Sequence, residues 1–326
     1  MTASHKPRRK IGGRGAIVTL TLSPALDIAT QIPRLRAEAK LRCTPPIYTP
    51  GGGGINVARA IHALGGRALA LFPAGGASGQ QLVELLAAEG VATQPLAIAE
   101  RTRECLNVLE QAGAQQYRFV LPGACLSAAE QTRLLEAVAA LPTPEYLVIS
   151  GSLPPGLAAD FLPRLLHDVI GRGIRCILDS SGEALRQALE AGGVFMIKPN
   201  LNELCSLAGE AIDGPERLAG FARELVDGGG CANVLVSLGA QGALLVGQGR
   251  REWLAAPTVQ RCSTVGAGDS LVAGVTLKLA AGAPWREALC YGVAAGSAAI
   301  IGEGGALCRL ADTERLFAWL QVHGQG

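Results

Sequence analysis

Short apolar runs alternate with amphipathic stretches along most of the chain. Runs of four to seven apolar residues are typical of buried strands, and apolar residues three and four apart are typical of helices that pack on one face. The pattern predicts strands at 16–22, 67–73, 94–98, 145–149, 174–178, 194–197 and 232–236, helices at 54–65, 78–89, 127–140, 158–171, 183–190, 214–227, 267–281 and 285–301, and a meander at 243–256. This alternation indicates an α/β fold, with a mostly parallel central sheet covered by helices on both faces.

Two segments do not belong to this alternation. Residues 26–48 contain three prolines and have an extended pattern, and residues 104–121 predict a hairpin around Gly113. Together they predict a small separate sheet. Since its exposed face must be buried somewhere, we expect it to serve as a lid over a substrate cleft or as a dimer contact.

Composition adds limits to this picture. The 326 residues are 49% hydrophobic and 17% charged, which suits one large α/β domain or two small ones. Without a linker or an internal repeat, one domain is predicted at 16–323 with the lid inside it. The net charge of +2 gives no indication of nucleic-acid binding. Residues 231–249 lack charge but are interrupted by Gly, Ser, Asn and Gln, so no membrane span is predicted.

The start of the chain and the cysteines bear on location. Residues 1–15 carry a cluster of basic residues and predict a disordered basic tail, with a targeting or binding arm as the alternative. No apolar segment typical of a secretory signal follows the cluster. Nine scattered cysteines without a C-x-x-C motif predict neither disulfides nor a metal site, which favours the reducing cytoplasm.

A glycine turn that opens the predicted helix 267–281 is the strongest candidate for chemistry. In the run from Ser263 to Ser270, Gly266 and Gly268 allow backbone conformations that other residues avoid, and Asp269 follows at once. The free N–H groups of a helix start favour anions. A carboxylate beside such a site fits a base for phosphoryl transfer, and the alternative is a glycine-capped helix whose Asp complements the dipole.

A second glycine run precedes the predicted helix 54–65. Four glycines, 51–54, permit close approach of the backbone to a polar ligand, and Asn56 in the first turn can bond hydroxyls; the alternative is a flexible loop. Asp27 follows the first strand, where it either accepts bonds from sugar hydroxyls or stabilises a turn. Lys40, Arg42 and Arg103 lie on the predicted lid and suit a phosphorylated substrate, or are simply solvated charges.

Polar clusters also end three predicted strands. Ser150–Gly156, Lys198 to Asn200 with Glu203 one turn later, and Ser237–Gly242 all fall at carboxyl ends of strands, so they are expected to line one crevice. The chain has no G-x-x-x-x-G-K-[ST] motif, and no G-x-G-x-x-G follows the first strand, which argues against a P-loop or a dinucleotide fold.

These motifs, in this order, resemble the PfkB (ribokinase-like) family of sugar kinases over residues 16 to about 320. Within the family the resemblance is greatest to 6-phosphofructokinases, through 51–59, 150–156, 179–185 and 263–270. It implies a ribokinase-like three-layer sandwich with a small β-sheet lid. It also implies magnesium- and ATP-dependent phosphorylation of fructose 6-phosphate to fructose 1,6-bisphosphate, inhibition by ATP at a second site, and a homodimer through the lid.

The resemblance further implies a role for each matching residue. Asp269 is the base, and Gly266, Ala267 and Gly268 form the anion hole. Those that would hold the sugar phosphate are Asp27, Gly52, Gly53, Asn56, Arg103 and Ser152, with Lys40 and Arg42 reaching a phosphate across the dimer. Those that would surround ATP are Lys198, Asn200, Ser237, Gly239, Gly242, Val265, Lys278, Val293 and Ser297. Glu203 would organise magnesium through water, and potassium would be held by carbonyls of Ser263, Val265, Ala299, Gly302, Gly304 and Ala306.

Two departures bear on specificity and on the cation. Fructose-1-phosphate and tagatose-6-phosphate kinases of this family usually carry lysine where Gly53 stands, so its absence favours fructose 6-phosphate. Ser23 replaces a frequent asparagine, and Gly302, Gly305 and Ala306 make the potassium loop richer in glycine. A kinase for tagatose 6-phosphate or another ketose phosphate is the first alternative, and a sugar-phosphate-binding regulator without turnover is the second.

Overall fold

The fold consists of two β-sheets and ten helices within residues 13–260, 262, 265–302 and 307–324, which the computed structural model describes. The strands are β1 (Gly13–Leu20), β2 (Ala25–Ile32), β3 (Ile47–Gly51), β4 (Leu69–Ala74), β5 (Ala92–Ala97), β6 (Arg103–Glu110), β7 (Gln115–Phe119), β8 (Pro144–Ser150), β9 (Arg175–Asp179), β10 (Met196–Ile197), β11 (Asn233–Ser237), β12 (Ala243–Gly247) and β13 (Arg250–Leu254). The helices are α1 (Gly53–Ala63), α2 (Gly76–Ala88), α3 (Ala128–Ala139), α4 (Phe161–Gly171), α5 (Gly182–Ala191), α6 (Leu201–Ala208), α7 (Gly214–Asp227), α8 (Ala267–Ala280), α9 (Trp285–Ile301) and α10 (Leu310–His323).

Nine strands form the large sheet in the order β13-β12-β11-β10-β9-β8-β1-β4-β5. All neighbours from β11 to β5 pair in parallel, whereas β12 pairs antiparallel with both β11 and β13 and is the one strand of this sheet that runs in the opposite direction. Strand β8 is buried at every position but one, as expected for a parallel strand covered on both faces. The predicted mostly parallel α/β fold is confirmed.

Two hydrophobic cores lie on opposite faces of this sheet, because successive side chains of a strand point to opposite sides. Ile17 belongs to the core that packs against α1, α2, α8, α9 and α10. Its neighbour Val18 belongs to the core against α3, α4, α5, α6 and α7. The three layers are therefore helices, sheet and helices.

The small sheet is separate, as predicted, and has the order β3-β2-β6-β7. Strand β2 pairs antiparallel with β3 and parallel with β6, and β6 and β7 form the expected hairpin. Seven large apolar side chains on or next to this sheet are exposed: Leu35, Ile47, Tyr48, Leu109, Phe119, Val120 and Leu121. The sheet thus presents an apolar surface to solvent.

Some predicted boundaries were wrong. Strand β1 begins at Gly13, so residues 13–15 do not belong to a tail; the backbone N–H of Gly15 donates to Glu145, 2.5 Å away. Residues 1–12 of the predicted tail lie outside the described residues. The predicted strand 194–197 is reduced to Met196–Ile197, with an isolated bridge at Val194. Helices α6 and α10 were not predicted.

Two further observations concern the chain as a whole. No helix among the described residues is long and apolar enough to cross a membrane. All nine cysteines lie in the described part of the chain, and each is a free thiol there.

Candidate active site

Four polar side chains meet at the carboxyl edge of the large sheet. Ser150, Asp179 and Lys198 stand at or just beyond the ends of β8, β9 and β10, and Asp269 lies in the first turn of α8. The Lys198 Nζ is 3.0 Å from Asp179 Oδ1, and the Ser150 hydroxyl donates to Asp179 Oδ2 over 3.4 Å. Neighbouring parallel strands end side by side, so residues far apart in sequence become one cluster.

Asp269 is held from the other side by the first turn of α1. The Nδ2 of Asn56 donates to Asp269 Oδ2 over 3.0 Å. Both helices begin after a glycine with positive φ, Gly52 at 110° and Gly266 at 76°. Such angles are open to glycine and strained for other residues, so these turns require it. The two glycine motifs of the sequence are therefore joined by one hydrogen bond.

The environment of Asp269 raises its pKa to about 7. Burial is the largest cause, because it disfavours the charged carboxylate, and the negative charge of Asp179 adds to it. Hydrogen bonds from Asn56 and Ser150 and the charge of Lys198 act in the opposite direction. A carboxyl with a pKa near neutrality can accept a proton and release it again at physiological pH.

Backbone donors adjoin this carboxyl. The first intrahelical bond of α8 runs from the N–H of Ser270 to the carbonyl of Gly266. Among the described residues no acceptor is bonded to the N–H groups of Ala267, Gly268 and Asp269. Free N–H groups at a helix start attract an anion, so an anion and a proton acceptor can be held side by side here.

Lys198 supplies a buried positive charge to the same cluster. Burial acts to lower its pKa, but the charges of Asp179, Glu203 and Asp269 outweigh it, so the pKa is raised and the ammonium stays charged. Its Nζ lies 3.4 Å from where a Cβ on Gly268 would stand, so the ammonium is within van der Waals reach of the start of α8. The cluster thus combines a fixed cation with the free N–H groups of α8.

Asp27 approaches the glycine run from the small sheet. It lies on β2 opposite Thr49 of β3. A Cβ on Gly51 would collide with its carboxylate, so only glycine allows the contact. Burial raises the pKa of Asp27, and Arg118, Arg103 and Arg59 partly offset this.

Arg103 connects the two sheets. Its guanidinium donates to the carbonyls of Ser23, over 3.0 Å, and Leu121, over 3.1 Å. Its Nε is buried without a partner among the described residues. Lys40 and Arg42 lie in the exposed connection between β2 and β3, and the structure does not bring them to the Asp269 cluster. Ser152 lies exposed two residues beyond Ser150.

Most residues predicted for ATP lie along the same edge. Asn200 bridges to Ser237, and Gly239–Gln241 forms a 3-10 turn that ends at Gly242, with φ of 97°. Val265 directly precedes Gly266, and Val293 and Ser297 are buried in α9. The first turn of α8 lies against this part of α9, since a Cβ on Gly296 would be 3.1 Å from the carbonyl oxygen of Ala267.

Lys278 is the exception. It follows Asp269 by nine residues on α8, which is about 13 Å along the helix axis. Its ammonium pairs with Glu287 over 3.0 Å and lies 4.5 Å from the ring centroid of Tyr291. The structure therefore places Lys278 at the far end of α8 rather than in the Asp269 cluster.

The predicted cation residues are only partly described. Glu203 forms a capping box with Asn200: its carboxylate accepts the Asn200 N–H over 2.8 Å, and its own N–H donates to the Asn200 side chain over 2.9 Å. The carbonyl of Ala299 accepts the N–H of Gly302 over 3.3 Å at the end of α9. Ser263, Gly304 and Ala306 lie outside the described residues. Within the described part, no three His, Cys, Asp or Glu residues are grouped to hold a metal.

Residues 23–312 match the sequence profile of the pfkB family of carbohydrate kinases. The chain belongs to this family. It is 49% identical to ATP-dependent 6-phosphofructokinase isozyme 2 of Escherichia coli over 93% of this chain and 98% of that protein. Its identity to the Mycobacterium tuberculosis protein of the same name is 44%, covering 94% and 90%. Crystal structures of the E. coli enzyme with potassium and with fructose 6-phosphate superimpose with TM-scores of 0.91 and 0.89, at 48% identity, covering 94% of this chain and 99% of theirs.

Sequence reasoning missed Asp179 as a site residue, although it lay within a motif that carried the family resemblance. Ser150 was expected to line the crevice as part of 150–156, but no individual role was predicted for it. The signal was present, because each is a polar residue at the end of an apolar strand, as Lys198 is. The structure adds that Asp179 contacts both Lys198 and Ser150.

Proposed function

We propose that this protein is an ATP-dependent 6-phosphofructokinase that converts fructose 6-phosphate to fructose 1,6-bisphosphate. The observation that carries the proposal is the half-buried Asp269, bonded to Asn56 and next to the free N–H groups that start α8. The curated relatives at 44–49% identity have this activity in their names.

The proposed reaction is an in-line transfer. The C1 hydroxyl oxygen of the sugar phosphate attacks the γ-phosphorus, and the bond from that phosphorus to the β–γ bridging oxygen breaks, so ADP leaves. Asp269 accepts the hydroxyl proton, and the N–H groups of Ala267 and Gly268 stabilise the charge on the migrating group. Loss of one donor of this kind typically costs about 3–4 kcal/mol of barrier.

The remaining predicted residues divide between the two substrates. The sugar phosphate is assigned to Asp27, Gly52, Gly53, Asn56, Arg103 and Ser152, with Lys40 and Arg42 contributed across a dimer. ATP is assigned to Lys198, Asn200, Ser237, Gly239, Gly242, Val265, Val293 and Ser297. Lys278 remains a prediction, and its place at the far end of α8 does not support it.

Two cations belong to the proposal. Magnesium, which Glu203 would hold through water, would neutralise charge on the ATP phosphates. One Glu203 oxygen bonds Asn200, which leaves the other for a magnesium-bound water. Potassium would be held by the carbonyls of Ser263, Val265, Ala299, Gly302, Gly304 and Ala306.

Association and location complete the proposal. The exposed apolar residues of the small sheet, such as Ile47 and Phe119, support a homodimer through this sheet, because large apolar patches favour an interface. Nine free thiols support a reducing cytoplasm as the compartment.

The test is ADP release by the purified protein with magnesium and ATP, comparing fructose 6-phosphate, tagatose 6-phosphate and fructose 1-phosphate. We expect the highest kcat/KM with fructose 6-phosphate. A higher value with another sugar would overturn the specificity, and no turnover with any would favour a sugar-phosphate-binding regulator. The variant D269N is expected to lose at least about 100-fold in kcat, and a D269N enzyme as active as wild type would refute the assigned base.

A further inference from the structure

A cavity of about 620 Å³ opens at the amino edge of the large sheet, opposite the Asp269 cluster. It is lined by Glu145 and Tyr146 at the start of β8, Arg175 at the start of β9, Phe195 just before β10, and the turn 279–285 between α8 and α9. Its volume lies within the range of small-molecule sites, about 300–1,000 Å³.

The cavity shares elements with the Asp269 cluster but no residues. Strands β8 and β9 start at the cavity and end at Ser150 and Asp179, about 13 Å farther along each strand. Neither the sugar phosphate nor ATP, as assigned above, reaches it. A ligand there would therefore be a third molecule.

Aromatic rings form one wall. Phe195 stacks on Trp285 with centroids 5.6 Å apart, and Tyr146 meets Phe195 edge-on at 5.8 Å. The Arg175 guanidinium carbon lies 5.4 Å from the ring centroids of both Tyr146 and Phe195. Because these groups pack on each other, and the Arg250 guanidinium lies 5.0 Å from the Trp285 ring centroid, the wall is already formed without a ligand and offers mainly ring edges as apolar contact.

Arg175 presents two unused donors at this wall. Its Nη1 donates to Glu145 Oε1 and to the Tyr146 hydroxyl, each over 2.8 Å. Its Nε and Nη2 have no acceptor among the described residues, and 49% of its side chain is exposed. Nε and Nη2 point along one edge of the guanidinium, a spacing that matches two oxygens of a carboxylate or phosphate.

Trp285, the first residue of α9, supplies a further backbone donor to the same cavity. The first intrahelical bond of α9 runs from the N–H of Ala288 to the carbonyl of Pro284. The N–H groups of Trp285, Arg286 and Glu287 have no acceptor within the described residues. Of the described charged groups that line the cavity, Glu145 has both oxygens engaged, one by Arg175 and one by the N–H of Gly15. Arg175 and Trp285 thus offer unused donors from two independent elements of the lining.

We propose that this cavity binds a planar aromatic molecule that carries a carboxylate or phosphate. The oxoanion pairs with the Nε and Nη2 of Arg175, and the ring lies along the wall formed by Tyr146, Phe195 and Trp285. The site is independent of the sugar and nucleotide sites, so it fills whether or not they are occupied.

Calorimetric titration tests this with 1-naphthoate and 1-naphthyl phosphate as probes. Fructose 6-phosphate and a non-hydrolysable ATP analogue are kept saturating so that the substrate sites are filled. We expect one additional site per chain, about tenfold to 100-fold weaker in R175M and unchanged in R164M, an exposed arginine of α4. The cation 1-naphthylmethylamine, with the same ring system, should not bind.

Three outcomes would overturn the proposal: no binding of either anion at millimolar concentration, equal binding by wild type and R175M, or equal binding of the cation. The relative affinities of naphthoate and naphthyl phosphate decide between the two oxoanions. Wild-type crystals soaked with 4-bromo-1-naphthoate provide a check that needs no variant. Anomalous scattering should place bromine in the cavity, and bromine only elsewhere would contradict the assignment.

Discussion

Asp269 and Asp179 illustrate how one residue sets the chemistry of another. Both carboxyls lie in a cluster with a single buried ammonium, that of Lys198. Burial is the largest cause that raises the pKa of Asp269 to about 7, and because the ammonium pairs directly with Asp179, the negative charge of Asp179 adds to that rise. We therefore expect kcat/KM to be low in acid and to rise with pH through about 7 as Asp269 ionises.

The variant D179N should move this acidic limb to lower pH by about one unit. The substitution removes the negative charge that opposes ionisation of Asp269. It also leaves the Lys198 ammonium without its partner, so that the positive charge favours ionised Asp269. The measurement is kcat/KM for fructose 6-phosphate between pH 5 and 9, with D168N on α4 as the control. The phosphate of the substrate titrates at about pH 6 with every variant. The informative quantity is therefore the difference between variants in the position of the acidic limb. A limb that stays in place in D179N would mean that Asp179 does not set the pKa of Asp269.

The raised pKa also has a consequence for stability. A carboxyl whose pKa is higher in the folded state stabilises the fold below its unfolded pKa, and this contribution is lost as pH rises through the folded value of about 7. D269N carries no such charge. Its Tm at pH 8 should equal or exceed that of wild type although its activity is lost. A lower Tm in D269N would indicate that the variant is inactive because its fold is destabilised.

At the scale of elements, the start of α1 fits the end of β8 very closely. A Cβ on Gly53 would stand 2.6 Å from the backbone nitrogen of Gly151 and would collide with the Ser150 hydroxyl. G53A is therefore expected to lose about 1–3 kcal/mol of stability and to lower kcat, because the ends of both elements must move apart. The control is G220A in α7, where the added methyl meets nothing within 4 Å. Thermal unfolding and kcat are measured together, and wild-type values for G53A would contradict the close fit.

Helix α6 offers a test of what Glu203 does. Glutamine also serves as the third residue of a capping box, so E203Q should keep the Tm while removing the charge. If Glu203 organises magnesium, E203Q should need several-fold more magnesium for half-maximal activity. E130Q is the matched control, since Glu130 closes the capping box of α3 with Ser127. An unchanged magnesium requirement in E203Q would mean that Glu203 only caps α6.

The elements also explain what the sequence could and could not predict. Helix α1 was placed correctly because a glycine run is followed by apolar residues at helical spacing. Helix α6 was missed because only Leu204 of its eight residues is buried, which leaves no periodic signal. Helix α10 could have been found, since Thr313, Leu316, Phe317 and Leu320 are spaced as one buried face. The pairing of Asp179 with Lys198 depends on strand order, which the sequence does not state.

At the scale of the whole molecule, the proposed homodimer depends on the apolar surface of the small sheet. F119D places a charge in its exposed apolar surface, where Phe119 is 50% exposed. We expect F119D to shift the protein from dimer to monomer at micromolar concentration, measured by light scattering. V322D on α10 is the control, because Val322 is 71% exposed and far from this sheet in the chain. Monomeric wild type, or an F119D dimer as stable as wild type, would contradict the proposed interface.

The two edge strands of the large sheet limit the ways in which copies of the protein can pair. Strand β13 has the sequence RREWL, and the opposite edge strand β5 contains Pro95, which has no N–H to donate. Charges and proline on edge strands discourage further strands from pairing there. Edge-to-edge pairing of large sheets from many copies into a fibre is thereby discouraged at both edges of the sheet. Association through the apolar surface of the small sheet stops once that surface is covered by a second copy. The molecule therefore favours small closed assemblies even in a crowded solution.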